Sequence, residues 1–189
     1  MVSPKHDVHR HAFQNCLTDF QEFQGKCIPA TEIKHHDFTG LRVAVIGANQ
    51  DSVAQLDRIC QQATSVQVFQ IAPHFVLPST ERGIHRLISH PLVFKNRRLF
   101  NNRVKNILAL RFLDAQVVDT WLKRQLTPNI ADTQHAYFKS DSYYAALQRD
   151  NCQLITWPIA RIAEHSIYTI DGSEYKVDVI ITTHRNPEK

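Results

Sequence analysis

Between Phe38 and Pro73 the apolar positions change period twice, and the three elements this predicts frame the rest of the chain. Gly40 precedes the run Val43-Ala44-Val45-Ile46, which closes at Gly47. A short unbroken apolar run rich in β-branched residues is what a strand covered on both faces of a parallel sheet requires. From Ser52 the spacing switches to three and four residues, through Val53, Leu56, Ile59, Cys60 and Ala63, which is one stripe along a helix. Val66 to Phe69 predicts a second strand, and Pro73 stops it. Strand, glycine turn, helix and strand within about 30 residues make a βαβ unit, with a right-handed crossover expected.

Downstream, the stretch between Pro78 and Pro128 is expected to be largely helical. Leu99, Val104, Ile107, Leu108, Leu110 and Phe112 give it an apolar face, to which Trp121 and Leu122 add. Tyr143, Tyr144 and Leu147 take core-facing spacing on a helix from about Ser142 to Arg149. Cys152 to Thr156 reads as a strand. Ile159 to Ile170, the Asp171-Gly172 turn and Ser173 to Val177 read as a β-hairpin, and Val177 to Thr182 as a last buried strand. Leu17 to Gly40 has no clear period. It is expected to be a linker whose Phe20, Phe23 and Phe38 fold back against the βαβ edge. The tail HRNPEK is expected to fray.

Composition narrows the class without naming a function. The chain has 189 residues, enough for one domain with a real core; 43% are hydrophobic and 21% charged, as in ordinary globular proteins. No apolar run approaches the roughly 18 residues that a membrane span needs, and the start MVSPKHDVHRHAF has no signal-peptide core. A cytoplasmic chain with no membrane contact is expected. Cys16, Cys27, Cys60 and Cys152 are scattered without a CxxC pair, which reads as reduced structural thiols. A net charge of +4 does not call for a nucleic-acid partner.

The chemistry-bearing position of a βαβ unit is its first turn, where a dinucleotide pyrophosphate meets a helix N-terminus. A Rossmann fingerprint there is G-x-G-x-x-G/A, and this turn is Gly47-Ala48-Asn49-Gln50-Asp51-Ser52. The tight-turn glycine is present. The second glycine is Asn49, whose side chain takes room the phosphate would use, and Asp51 adds a repulsive charge. Ser52 is small enough for close helix–strand packing. If a dinucleotide binds, Gly47, Ala48, Asn49, Gln50 and Ser52 are the candidate contacts to it, and Gln70, about 20 residues past the turn, is the candidate for the ribose.

Two other clusters invite chemistry. His6, His9 and His11 in HDVHRH have no second ligand group at a zinc spacing, so a solvated terminus is the plainer reading. Lys95, Arg97, Arg98, Arg103 and Lys105, interleaved with Phe94 and Phe100, suit either an anion or nucleic-acid patch or a solvated helix face. No G-x-S-x-G nucleophile elbow occurs.

A resemblance adds to these readings. Phe23-x-Gly25-x-x-x-Pro29-x-x-x-Ile33, just before the βαβ unit, resembles the F-x-G-x-x-x-H-x-x-x-W fingerprint of Baeyer–Villiger monooxygenases. FTGLRVAVIG and then VQVFQIAPHFVLP are similar to the second, nicotinamide-binding Rossmann segment of that flavin monooxygenase family. LTPN at 126–129, SDSYYAALQRDN at 140–151 and the hairpin leading to Asp178-Val179-Ile180-Ile181 resemble it in the same order, so the likeness covers about Leu17 to Ile181.

The resemblance implies an α/β, Rossmann-like nucleotide-binding domain with a helical excursion at about 79–127 and a C-terminal β-hairpin. Residues 1–38 would be tail and linker, 39–182 the domain and 183–189 a frayed end. It also implies which chemistry is altered. The fingerprint His falls on Pro29 and the Trp on Ile33; the Arg-Thr that holds an adenosine 2′-phosphate falls on Ile71-Ala72. The G-C-K-R stretch falls on Thr133-Gln134-His135-Ala136 and the A-T-G on Thr183-His184-Arg185. A neutral branched side chain cannot make the bidentate contact a guanidinium gives a phosphate.

In that family the flavin carries the oxygen chemistry, and its G-x-G-x-x-G occurs nowhere in this sequence. The expectation is therefore an NADPH- or NADH-binding portion of a monooxygenase, an oxidoreductase relative that is not catalytic alone. FAD would come only with an FAD-domain polypeptide as partner. The alternatives are a non-catalytic binding or regulatory module on the Rossmann frame, or an anion- or nucleic-acid-binding protein using the basic cluster at 95–105.

Overall fold

The structure, a computed structural model, describes residues 22–79, 102–129 and 136–183. Its centre is a five-stranded parallel sheet whose strands lie side by side in the order Lys26–Pro29, Val179–Thr182, Arg42–Ile46, Ser65–Phe69 and Cys152–Ile155. The strands are β1 (Lys26–Pro29), β2 (Arg42–Ile46), β3 (Ser65–Phe69), β6 (Cys152–Ile155) and β10 (Val179–Thr182). Helix α1 (Gln50–Gln62) joins β2 to its neighbour β3, completing the expected βαβ unit. The fold is α/β, as the sequence implies.

The two faces of this sheet are covered differently. On one, Val43, Val45, Val66, Val68, Val179 and Ile181 pack against Val53, Leu56, Ile59 and Cys60 of α1, and the short helix α4 (Tyr143–Leu147) joins them. Leu113, Val117 and Leu126 add α2 (Asn102–Gln116) and α3 (Thr120–Leu126) to the same core. On the other face, Ala44, Ile46, Phe69, Ile155 and Ile180 meet Ile162, Ile167 and Val177. That cover is a three-stranded antiparallel sheet, β7 (Ile159–Ile162), β8 (Ser166–Thr169) and β9 (Glu174–Lys176). With both faces covered, β2 has no polar side to show, which is why it is an unbroken apolar run.

Several expectations need correction. Leu17 to Gly40 is not only a linker: Lys26–Pro29 is β1, an edge strand of the main sheet beside β10, followed by a 3-10 helix over Ala30–His35. The C-terminal hairpin is a meander of three strands, because the chain between Ile159 and Ile170 turns once more at Ala163-Glu164-His165. The expected turn does join the last two strands at Asp171-Gly172, with Gly172 at φ +85°. A separate parallel pair, β4 (Phe75–Leu77) with β5 (Tyr137–Lys139), has no counterpart in the sequence reading. Trp121 and Ile107, assigned to an apolar face, are exposed. His6, His9, His11, Phe20, Leu99, residues 94–98 and 133–135, and the tail lie outside the described residues.

Candidate functional site

The candidate site is the rim formed by the C-terminal ends of β2, β3 and β10. Backbone pairing continues one residue past each strand: Gly47 N–H donates to the Phe69 carbonyl (2.9 Å), Gln70 N–H to Ile155 (2.9 Å) and Thr183 N–H to Ile46 (3.2 Å). Gly47 turns there with φ +84°, a left-handed backbone that favours glycine, so the tight-turn residue is where the geometry needs it. Helix α1 starts three residues later and points its N-terminus at this rim.

The turn is closed by its own side chains. Asn49 is the N-cap: its Oδ1 accepts from Ser52 N–H at 2.8 Å, while Asn49 N–H donates to Ser52 Oγ at 3.0 Å. This reciprocal capping box satisfies a donor at each end of the first turn, with serine in the place usually held by Glu or Gln. Asn49 Oδ1 therefore already occupies the position of an acceptor over the helix start. Among the described residues, the N–H groups of Gln50 and Asp51 have no intramolecular acceptor. Gln50 also works at a distance. Its amide exchanges two hydrogen bonds with the Lys139 backbone (2.8 and 2.9 Å), which ties the turn to β5.

Gln70 is buried, and its Oε1 accepts from the Tyr143 hydroxyl at 2.8 Å. Burial pushes the Tyr143 phenol pKa far up, so it stays a neutral donor. Tyr143 is the residue that sequence reasoning missed here; its helical spacing marked it as core, and nothing local announced the partner 73 positions away. Ile71 is half-buried and Ala72 exposed, and the nearby His74 has its pKa pushed down by burial, away from the cationic form. Residues 71–74 thus offer a phosphate no fixed positive charge.

The segment that carries the fingerprint is built by packing. Phe23 is buried, and a Cβ placed on Gly25 would lie 2.4 Å from its ring and 2.5 Å from the Asp178 carbonyl oxygen. Only glycine fits between them. Pro29 is exposed, whereas Ile33 is wholly buried in the main core. Arg58 of α1 reaches over to donate to the carbonyls of Ile33 (3.3 Å), Lys34 (3.0 Å) and His36 (3.3 Å), capping the 3-10 helix. Arg42 and Asp178 form a bidentate pair at 2.6 and 3.0 Å, holding β2 to the entry of β10.

Lys105 is the member of the basic cluster whose side chain is described, and its ammonium lies over the Tyr137 ring, 5.4 Å from the centroid. Among the described residues no group of His, Cys, Asp and Glu is placed to hold a metal ion, and no helix is long and apolar enough to cross a membrane.

Comparison with known proteins gives this geometry a context. The chain is 29% identical to a Baeyer–Villiger monooxygenase of Pseudomonas aeruginosa over 188 residues, covering 87% of this chain and 36% of that protein. It is 28% identical to the FAD-binding monooxygenase ktnD of Aspergillus niger, covering 91% of this chain and 33% of that protein. The chain therefore spans about a third of the length of the curated relatives it matches. Its fold superposes on an oxidised steroid monooxygenase bound to NADP with a TM-score of 0.69 at 20% identity, covering 86% of this chain and 42% of the other. The closed structure of cyclohexanone monooxygenase gives 0.68 at 15% identity, again over 86% and 42%. No protein-family profile matches the chain. The similarity is thus to one portion of Baeyer–Villiger and related FAD-binding monooxygenases.

Proposed function

We propose that this chain is the nicotinamide-dinucleotide-binding portion of a Baeyer–Villiger-type monooxygenase, dependent on an FAD-binding portion outside residues 26–182 and not catalytic by itself. The observation that carries the proposal is the turn at Gly47, left-handed at the end of a central parallel strand and followed by a helix N-terminus, in a chain aligned along most of its length with such enzymes. A dinucleotide bound there would supply a hydride for the flavin.

The residues present fit that group in part. The peptide groups of Gly47, Ala48, Asn49, Gln50 and Ser52 line the rim, and the N–H groups of Gln50 and Asp51 are free to donate to one phosphate oxygen. With one bond to its oxygen taken by Tyr143, Gln70 still has its amide NH2 to donate to a ribose hydroxyl. The neutral 71–74 segment removes the reason to prefer a 2′-phosphate. Calorimetric titration of the folded chain with NADH and NADPH is the direct test. Binding of NADH at least as tight as NADPH is expected, and Gly47→Val should abolish it. No binding of either by folded protein would overturn the assignment.

A second reading has its own observation. The Asn49–Ser52 capping box and the Tyr143–Gln70 bond satisfy within the protein groups that a dinucleotide would otherwise meet. This favours a non-catalytic module on the same frame, and it becomes the leading account if the titration is flat.

A further inference from the structure

Gln70 and Tyr143 meet at the rim from distant parts of the chain, and both are almost wholly buried, at 5% and 4% exposure. Gln70 is the first residue past β3, held there by its N–H bond to the Ile155 carbonyl. Tyr143 opens α4, where its N–H donates to Ser140 Oγ at 3.1 Å and its ring packs against that of Tyr144. The phenol is thus brought to one place. Burial keeps its proton on, and among the described residues that proton has Gln70 Oε1, at 2.8 Å, as its acceptor and no other. Turning the amide over would leave a buried hydroxyl hydrogen unpaired, which is strongly disfavoured. The other end of the amide has no such tie. Gln70 Nε2 has no partner among the described residues, whose one buried, unpartnered side-chain polar atom is Gln67 Oε1, so the Gln70 NH2 reaches solvent.

We infer that Tyr143 fixes the Gln70 amide with its NH2 toward the rim, so that this position takes an adenosine 2′-hydroxyl or a 2′-phosphate alike. The inference rests on the dinucleotide reading above. In a Rossmann unit the residue about 20 positions past the turn reaches the ribose, and a carboxylate there accepts from the 2′-hydroxyl. Its charge would repel a 2′-phosphate. An amide NH2 carries no charge and donates to either oxygen. Which end of the Gln70 amide faces out therefore sets the specificity, and the phenol sets the end without touching the ligand. Tyr143 is a positioning residue.

The test is calorimetric titration of the full chain with NADH and with NADPH at mildly alkaline pH, circular dichroism confirming the fold of each variant. Wild-type protein should bind the two within about threefold of each other. Gln70→Glu keeps an acceptor for the Tyr143 proton but turns an oxygen outward, and should move the preference by about tenfold or more toward NADH. Tyr143→Phe should weaken NADH binding about threefold in the wild-type background and not in the Gln70→Glu background. There both ends are oxygen, and no orientation has to be fixed. An equal loss in both backgrounds would make Tyr143 merely structural and overturn the inference. So would a larger wild-type preference for either dinucleotide, or a Gln70→Glu preference like that of the wild type. These outcomes leave the dinucleotide reading standing, whereas no binding of either dinucleotide by folded wild-type protein overturns that reading and the inference with it. Where Gln70→Glu does not fold, the side-chain amide proton resonances of Gln70 decide. They should shift when NADH is added to wild-type protein, and unmoved resonances in a sample that binds NADH overturn the inference.

Discussion

The corner around Phe23, Gly25 and Ile33 and the turn at Gly47–Ser52 have been treated differently by the same sequence. At the corner, each residue with a packing duty is suited to it: Gly25 sits where no Cβ fits, and Ile33 fills the core. At the turn, the backbone shape stays while groups that could face a ligand bond to the chain itself. Loss of packing costs the fold directly, whereas loss of a ligand contact costs only the ligand. A turn whose Asn49 and Ser52 groups bond to each other holds its shape without help from a ligand.

The largest effect should come from the corner. Ile33→Ala leaves a cavity in the main core and is expected to cost roughly 2–5 kcal/mol in denaturant unfolding. A loss below about 1 kcal/mol would mean that the corner is not the better-packed region. Gly25→Ala should cost about 1–3 kcal/mol by overpacking against Phe23 and the Asp178 carbonyl, read as a fall in Tm.

The turn should answer more mildly. Asn49→Ala removes the cap and is expected to cost about 1 kcal/mol; Asn49→Gly should cost only a few tenths, since glycine is itself a tolerated N-cap. The glycine variant should also bind NADH more tightly in calorimetry, because it clears the helix start. Equal affinity in both variants would separate the turn's shape from its binding.

The smallest effect concerns pH. Asp178 has its carboxyl pKa lowered, chiefly by hydrogen bonding to Arg42. A depressed folded pKa stabilises above the unfolded value of about 4 and is lost as pH falls through the folded one. Asp178→Asn should flatten this acid limb of stability by under about 1 kcal/mol, since the pair is partly exposed. An unchanged limb would assign acid sensitivity to other carboxylates.

What could be read from sequence follows from how local each signal is. The strand β2, helix α1 and strand β3 were legible because an unbroken apolar run, a left-handed glycine and a period of 3.6 follow one another within one short stretch. Strand β1 was not, since Lys26-Cys27-Ile28-Pro29 is short, shows no alternation, and is made a strand by a partner 153 positions away at Val179. The turn between β7 and β8 carries Ala163-Glu164-His165, with none of the residues that usually mark a hairpin. At the site, Gly47 was legible as a turn residue. Asn49 looked like an obstruction because Ser52 at the third helical position is a weak capping-box signal, and Gln70 gave no hint of Tyr143.

The order of the central sheet carries a consequence for synthesis. Strand β10, the last described, lies between β1 and β2, the first two. A chain emerging from the ribosome therefore carries two unpaired strand edges with a gap between them until Thr182 is free. Premature termination anywhere in the last strand leaves that gap open for good, exposing the Val43 and Ile28 backbones to any passing strand.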